Sequence, residues 1–395
     1  MTRSATLHRI EMPMKKAFGH ARATRALAES VVLRIADDGV EGVGECVARD
    51  YVTGETPATV FAAISSFDLE PAFAAAARGS FDEAVRAVEA LDLRTRLARG
   101  ERTALAAAAC VELALLDLIG RRFSTSITAT TTTLQLPEAL TAGRGERHQL
   151  TRALDTSRAP DQLASEKLLE GFTVLKIKVG LGRDEDLARV RASREIAGPD
   201  FVIAVDANMA WSLDEACEMA DVLRPYSIAW YEEPLAKGAL RDYHALRTRT
   251  GARVMLDESL CSFEDAQAAV AESACDLFNI RISKCGGFLT GLRLAELAHQ
   301  HGLGYQLGTH PGAQGILRAA DWSFAHAIAG FATVEAARSN AWFDEEIICE
   351  PLKVDYAAGR IVPLTGPGLG ITLKPERLEQ FTVQRARWDA GAWTI

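Results

Sequence analysis

The chain has 395 residues, 48% of them hydrophobic and 25% charged, enough for one barrel of about 250 residues with an accessory domain. Its net charge of −9, with no long Lys or Arg run, excludes a nucleic-acid footprint. No apolar stretch is long enough to span a bilayer, and MTRSATLHRIEMPMKK lacks a signal-peptide core, so a soluble cytoplasmic protein with no membrane partner is expected. Seven cysteines, scattered and never paired as C-x-x-C, suggest neither a disulfide framework nor a zinc site.

The first 40 residues read as antiparallel strands, with a hairpin at Asp38-Gly39 inside ESVVLRIADDGVEGVGECV (29–47). Helical patterns follow at 57–75 and 81–97. A third helix, apolar over most of its surface as a central packed helix should be, starts from a cap at Thr103. Residues 1–125 therefore form an α+β unit.

From Ser126 the pattern becomes strict strand and helix alternation. Expected strands are ITATTTTLQL (127–136), TVLKIKV (173–179), FVIAVDA (201–207), SIAWYEE (227–233), ARVMLDE (252–258), LFNIRIS (277–283), GYQLG (304–308) and ATVEA (332–336). Eight strands of this kind argue for an α/β protein with a parallel (β/α)8 barrel over 126–345. A doubly wound open sheet competes, but no G-x-G-x-x-G follows a strand.

Lys178, Asp206, Glu232, Asp257 and Lys284 end successive strands; by subtraction they are 28, 26, 25 and 27 residues apart. That register puts all five on one barrel face, the C-terminal one, where catalysis occurs and where ionisable groups are hard to explain as packing. Asp206, Glu232 and Asp257 offer hard oxygen ligands suited to Mg²⁺, with Mn²⁺ as a substitute. Lys176 and Lys178 share a side of their strand, and two close lysines beside a cation should disfavour each other's protonation, making Lys178 a base. Lys284 stands across the barrel to donate or remove a proton. The chemistry these groups permit is removal of a proton next to a carboxylate, with the enediolate stabilised by a cation; a Lys base with Mg²⁺ is the enolase-superfamily example of pKa tuning.

The motifs K-x-K at Lys176 to Lys178, VDAN (205–208), YEEP (231–234), LDES (256–259) and SKCGG (283–287) resemble the enolase superfamily, specifically its muconate lactonizing enzyme subgroup. GVGEC (42–46), VELALLDLIGR (111–121) and PLTGPGLGI (363–371) extend the likeness over nearly the whole chain. The resemblance implies a modified TIM barrel capped by an N-terminal α+β domain that residues 346–395 complete. It implies Lys178 and Lys284 as an acid/base pair, Asp206, Glu232 and Asp257 as metal ligands, Lys176 as a supporting lysine and Asn208 as a polar neighbour. Glu233 rivals Glu232, but strand alternation lets only one face the barrel, and the family pattern favours the first. Substrate contacts are expected from two cap loops, FGHARATR (18–25) and ARDYVTGET (48–56), through His20, Arg22, Arg25, Arg49 and Tyr51; for each a solvated loop is the alternative. His310, after strand seven, is either a substrate contact or a structural hydrogen-bonder.

The chain departs from relatives in lacking a Glu shortly after strand seven, and in lacking at VEAARSN the D-x-D with which dipeptide epimerases hold an amino terminus. The link GRRFSTSITA is short, and the segment after the expected first strand, about 143–160, is an insertion read as a lid, an oligomer contact or a surface loop. Three functions are weighed. Racemisation or epimerisation of a small carboxylic acid, an N-acyl amino acid or dipeptide-like, uses both lysines. Cycloisomerisation or elimination needs one. A non-catalytic binding barrel would be expected to lose buried charges that cost stability. The family commonly forms homo-oligomers, dimers or octamers.

Overall fold

The computed structural model describes residues 3–20, 23–98, 104–156, 169–335 and 342–395. Three antiparallel strands open the chain: β1 (Arg3–His20), β2 (Ala23–Asp37) and β3 (Val40–Cys46). Asp38 and Gly39 have φ of 51° and 81°, the left-handed pair that a two-residue hairpin needs, and Asp37 pairs with Val40 across it. The central helix Leu105–Arg122 lies on this sheet. It approaches so closely that a Cβ on Gly44 would sit 2.1 Å from the Cys110 carbonyl oxygen, which is why β3 carries glycine there.

Two expected helices are each broken. The first becomes Pro57–Ile64 and Glu70–Ala76, because Pro71 can open a helical turn but cannot continue one. The second becomes Phe81–Glu89 and Leu93–Leu97, interrupted where Asp92 takes φ 43°. The cap expected at Thr103 lies outside the described residues. The buried carboxylate of Glu55 instead accepts the first free N–H groups of the central helix, from Ala106 at 2.8 Å and Ala107 at 3.1 Å.

The expected first barrel strand is corrected. Residues 127–136 form a 3₁₀ turn at Ile127–Ala129 and a short helix at Thr130–Thr133. The threonine hydroxyls fold back onto the chain, Thr130 on the Ile127 carbonyl at 2.8 Å and Thr131 on that of Thr128 at 3.0 Å, an alternative to sheet pairing open to this β-branched run. The barrel begins with β4 (Thr151–Leu154) and continues with β5 (Val174–Lys178), β6 (Val202–Asp206), β7 (Ile228–Glu232), β8 (Val254–Leu256), β9 (Leu277–Ile280), β10 (Gly304–Leu307) and β11 (Thr333–Val334). Residues 137–150 thus precede the first strand, so the insertion placed after it is corrected for that part; 157–168 lie outside the described residues.

The eight strands run parallel in sequential order. The ring is joined by a parallel bridge from Leu150 to Val334, by the Thr333 hydroxyl on the Gln149 carbonyl at 2.9 Å, and by a contact between the Thr151 and Thr333 hydroxyls. Two small strands, β12 (Val354–Asp355) and β13 (Arg360–Ile361), form a hairpin. The chain then returns to the first sheet, where β14 (Thr382–Asp389) pairs with β1 and β15 (Ala392–Thr394) with β14.

Buried acids fasten cap to barrel. Glu45 accepts from Gln314 N and Leu317 N at 2.9 Å each, at the start of the helix Gly315–Ala327. Glu112 accepts from Leu289 N at 3.0 Å, at the start of the helix Phe288–Gln300. Each carboxyl takes up otherwise unpaired N–H groups at a helix start, and together the two fix the cap over the strand ends.

Candidate active site

Side chains inside the barrel stack by period two. The floor is apolar: Val174, Ala204, Trp230, Met255 and Leu277 cluster there. Two residues further along the strands the interior turns polar, with Lys176, Asp206, Glu232, Asp257 and Asn279, beside Gln306, and two residues beyond Lys176 and Asn279 come Lys178 and Arg281; all of these are buried.

Asp206, Glu232 and Asp257 come from three adjacent strand ends, as expected. Each is turned onto nitrogen. The Lys178 ammonium donates to Asp206 at 2.5 Å and to the Asn208 side-chain oxygen at 2.9 Å. Lys176 donates to Glu232 at 3.2 Å and pairs with Glu335, while Asn279 donates to the same Glu232 oxygen at 2.9 Å. Arg281 donates to Asp257 at 2.7 Å. Lys284 donates to the Asp257 carboxylate at 3.1 Å and to the main-chain carbonyls of Asp257 and Asn279 at 2.6 and 2.8 Å. Among the described residues no three His, Cys, Asp or Glu side chains are gathered into a ready-made metal cage.

The donor chemistry nonetheless fits a hard cation. The second oxygens of Glu232 and Glu258 are buried without hydrogen-bond partners. Burial pushes Glu232 up to about 8 despite Lys176, and the charges of Asp206 and Asp257 push it the same way. Glu258 is likewise raised to about 8, by burial and then by Asp257 and Glu233. Surplus buried carboxyl oxygen facing other carboxylates is what a divalent ion satisfies.

Glu233 turns the other way, as alternation requires. It accepts the Asp257 N–H at 2.6 Å and the Ser259 hydroxyl, so it braces the strand ends from outside.

The expected downward pull of Lys176 on Lys178 is present, and it is opposed by the carboxylates that would hold the cation. Burial and Lys176 do press it downward, but Asp206 and Glu232 outweigh them and hold it above the ordinary lysine value. Lys284 is raised as well: burial opposes its charge, and Asp257 overcomes that.

Of the expected substrate contacts, Asn208 is buried between Lys178 and Glu258, donating to the latter at 3.0 Å. Arg49 is buried and donates to the carbonyls of Ala48 and Pro311 at 2.9 and 3.0 Å, which ties the cap loop to the segment carrying His310. His310 is buried: burial presses its pKa well below the usual value, Arg281 and Arg49 add to the effect, and Asp257 opposes it. Tyr51 and Arg25 are half-buried, the first close enough to Arg281 and the second close enough to Arg49 to interact by charge. The His20 side chain and Arg22 lie outside the described residues.

Four site residues went unread in the sequence. Asn279 sits on the inward side of β9 and Arg281 directly follows that strand, Glu335 directly follows β11 and holds Lys176, and Glu258 backs Asn208. The strand-end rule that picked out Asp206 would have found Glu335, and alternation from Leu277 would have found Asn279 and Arg281.

Comparison with known families agrees with this architecture. Residues 161–377 match the family described as enolase C-terminal domain-like, and residues 3–129 the mandelate racemase/muconate lactonizing enzyme N-terminal domain. An N-succinyl-L-Arg/Lys racemase of Bacillus cereus is 26% identical over 392 residues, 95% of this chain and 96% of that one. A hydrophobic dipeptide epimerase of Citrifermentans bemidjiense is 31% identical over 312 residues, 76% and 78% of the two chains. A dipeptide epimerase of Enterococcus faecalis, solved with Mg and L-Leu-L-Tyr, superposes with a TM-score of 0.76 at 25% identity, covering 94% of this chain and all of that one. The chain belongs to the mandelate racemase/muconate lactonizing enzyme family of the enolase superfamily.

Proposed function

We propose that this protein is a Mg²⁺-dependent isomerase that removes the proton next to a carboxylate of a small acid and stabilises the enediolate that results. The observation that carries the reading is Lys178, buried at a strand end against Asp206 and Asn208, beside carboxylates ending three consecutive strands. Asp206, Glu232 and Asp257 would hold the ion, Mg²⁺ or Mn²⁺, which would draw off the negative charge that keeps the lysines protonated and stabilise charge on the substrate oxygens. Lys178 takes the proton. Asn208 orients its ammonium group, and Lys176, held by Glu232 and Glu335, sets a fixed positive charge beneath the site.

Two outcomes follow from the same intermediate. Racemisation or epimerisation of an N-acyl amino acid or dipeptide-like acid, with Lys284 returning the proton, is supported by the activities in the relatives' names. Cycloisomerisation or elimination by one lysine is supported by the three acceptors that occupy Lys284. The protein would work in the cytoplasm as a homo-oligomer on a free small molecule; no helix among the described residues is long and apolar enough to cross a membrane.

Proton NMR in D₂O with Mg²⁺, over a library of N-acyl amino acids, dipeptides and small unsaturated or hydroxy acids, tests the proposal. Loss of an α-proton signal that requires both Mg²⁺ and Lys178 supports enediolate chemistry. Loss that persists in Lys178→Ala, or no loss with any acid, counts against it.

A further inference from the structure

We propose that Arg281, and not Lys284, is the side chain facing substrate across the chamber from Lys178, where it holds an anionic oxygen, and that Lys284 is a positioning residue for Asp257. This rests on the enediolate reading and decides between its two outcomes.

The strand register carries the first step. On β9, Leu277 joins the apolar floor and Asn279 reaches Glu232 one layer up; Arg281, the first residue after the strand, continues the alternation to the next layer inside the barrel, where it meets Asp257 at 2.7 Å. Because β5 and β9 are second and sixth of eight strands in order, they stand opposite one another. Lys178 and Arg281 therefore face each other across the chamber. Lys284 follows the strand in the turn before the helix Phe288–Gln300.

The surroundings of the two cations differ in kind. An ammonium group has three donors. Those of Lys284 meet the Asp257 carbonyl, the Asn279 carbonyl and the Asp257 carboxylate, and the side chain is 0% exposed. A substrate hydrogen would have to reach a nitrogen enclosed by two main-chain carbonyls. Arg281 spends one terminal nitrogen on Asp257, while its Nε is buried without a hydrogen-bond partner. Space has been cleared for it: a Cβ on Gly308, the residue after the neighbouring strand β10, would lie 2.8 Å from the Arg281 Cγ and 2.1 Å from the Asn279 side-chain oxygen. On the cap side stand Arg49, with Arg25 beyond it, Glu29 acting on Arg49, and the buried His310. A buried, unspent guanidinium donor suits an anionic oxygen of the substrate.

A guanidinium keeps its protons and offers them as donors. The reaction then runs on one face. The Lys178 nitrogen takes the α-hydrogen, the C–H electron pair moves into the carboxylate to form the enediolate, and Arg281 bonds an oxygen without losing a proton. The pair either recovers the proton from Lys178 on the same face or becomes a double bond to the β-carbon, whose substituent leaves with its bonding electrons and takes the proton from Lys178. Lys284 fixes the Asp257 main chain and so the place of its carboxylate.

Two measurements test this. Calorimetric titration with Mg²⁺ alone needs no substrate. Lys284→Met should weaken binding at least ten-fold, because Asp257 loses its anchor, and Arg281→Met should not weaken it, because a competing cation is removed. Equal losses, or the reverse order, overturn the assignment. If Lys284→Met does not fold, Lys284→Gln, which keeps a donor for the carbonyls, replaces it. The second uses enantiomer pairs of N-succinyl amino acids in D₂O with Mg²⁺. Wild type should exchange one enantiomer without forming its mirror image, and Arg281→Lys should add exchange of the other. Exchange of both enantiomers by wild type, one of which Lys284→Gln removes, overturns the proposal. Absence of all exchange would fail the enediolate reading, and the Mg²⁺ titration would still decide which cation positions Asp257.

Discussion

Glu112 should make the protein less stable as pH rises from about 5 to about 8. It is wholly buried on the central helix, accepts from Leu289 N at 3.0 Å, and burial pushes its carboxyl from 4.5 up to about 8. Between those values the folded chain keeps a proton that the unfolded chain has released. The native state then binds more protons, so the unfolding free energy falls with rising pH. The stabilisation is complete below the unfolded value of 4.5 and gone above about 8. A full proton of difference is worth about 1.4 kcal/mol per pH unit, giving a ceiling of about 5 kcal/mol across the window. Glu112→Gln keeps the volume and an acceptor for Leu289 but cannot titrate. Urea unfolding at pH 6 and pH 8 should show wild type losing roughly 2 kcal/mol more than the Gln variant over that interval. Glu45, Asp321 and Glu346, each raised to about 7 mainly by burial, titrate in both proteins, so the difference isolates Glu112. Parallel curves would refute the argument, since Glu112 would then be ionised in the fold.

Lys178→Ala should slow α-proton exchange by about 10²- to 10⁴-fold, the usual worth of a positioned acid–base group, as read by NMR in D₂O. Mg²⁺ at one hundred times its dissociation constant should stabilise the fold by about 2.7 kcal/mol, and Glu232→Gln should remove most of the resulting rise in melting temperature. Gly308→Ala puts a methyl group 2.1 Å from the Asn279 side-chain oxygen. It should cost about 1–3 kcal/mol in denaturant unfolding and also weaken Mg²⁺ binding, because Asn279 would lose its hold on Glu232.

The residues read correctly from the sequence were those where one physical rule decided the matter. The Asp38-Gly39 hairpin needs two left-handed residues in a row, and few pairs other than this one supply them. Barrel strands from β5 onward are apolar runs closed by a polar residue, and a chain that repeats βα units must bring those residues to one face. The first strand failed because two rules conflicted. ITATTTTLQL has the β-branched composition of a strand, but its hydroxyls bond locally and curl it into helical turns. The real β4 is four residues with little sequence signature, and ring closure against β11 is what makes it a strand.

The reading of the second lysine shows why residue type is a weaker guide than register. Lys284 stands out in SKCGG because a lysine suggests proton transfer, whereas Arg281, three residues earlier, suggests an ion pair. The inward residues of β9 are Leu277 and Asn279, Arg281 continues that odd-numbered series one residue past the strand, and Lys284 falls outside it in the turn that follows. Once Leu277 is known to face inward, the parity count favours the arginine. The two-lysine reading gained its force from assuming that strand six carries its polar residue at the same point as the other strands. It carries two, and the Asp257 loop needs one of them to hold its carbonyl. The cap enters here as well: Val47 N donates to the Ser283 hydroxyl at 3.0 Å and accepts from it through its carbonyl at 2.9 Å, immediately before Lys284. The turn that carries Lys284 is thus pinned from the cap on one side and from Asp257 on the other, which is the situation of a brace, while Arg281 keeps a free donor inside the chamber.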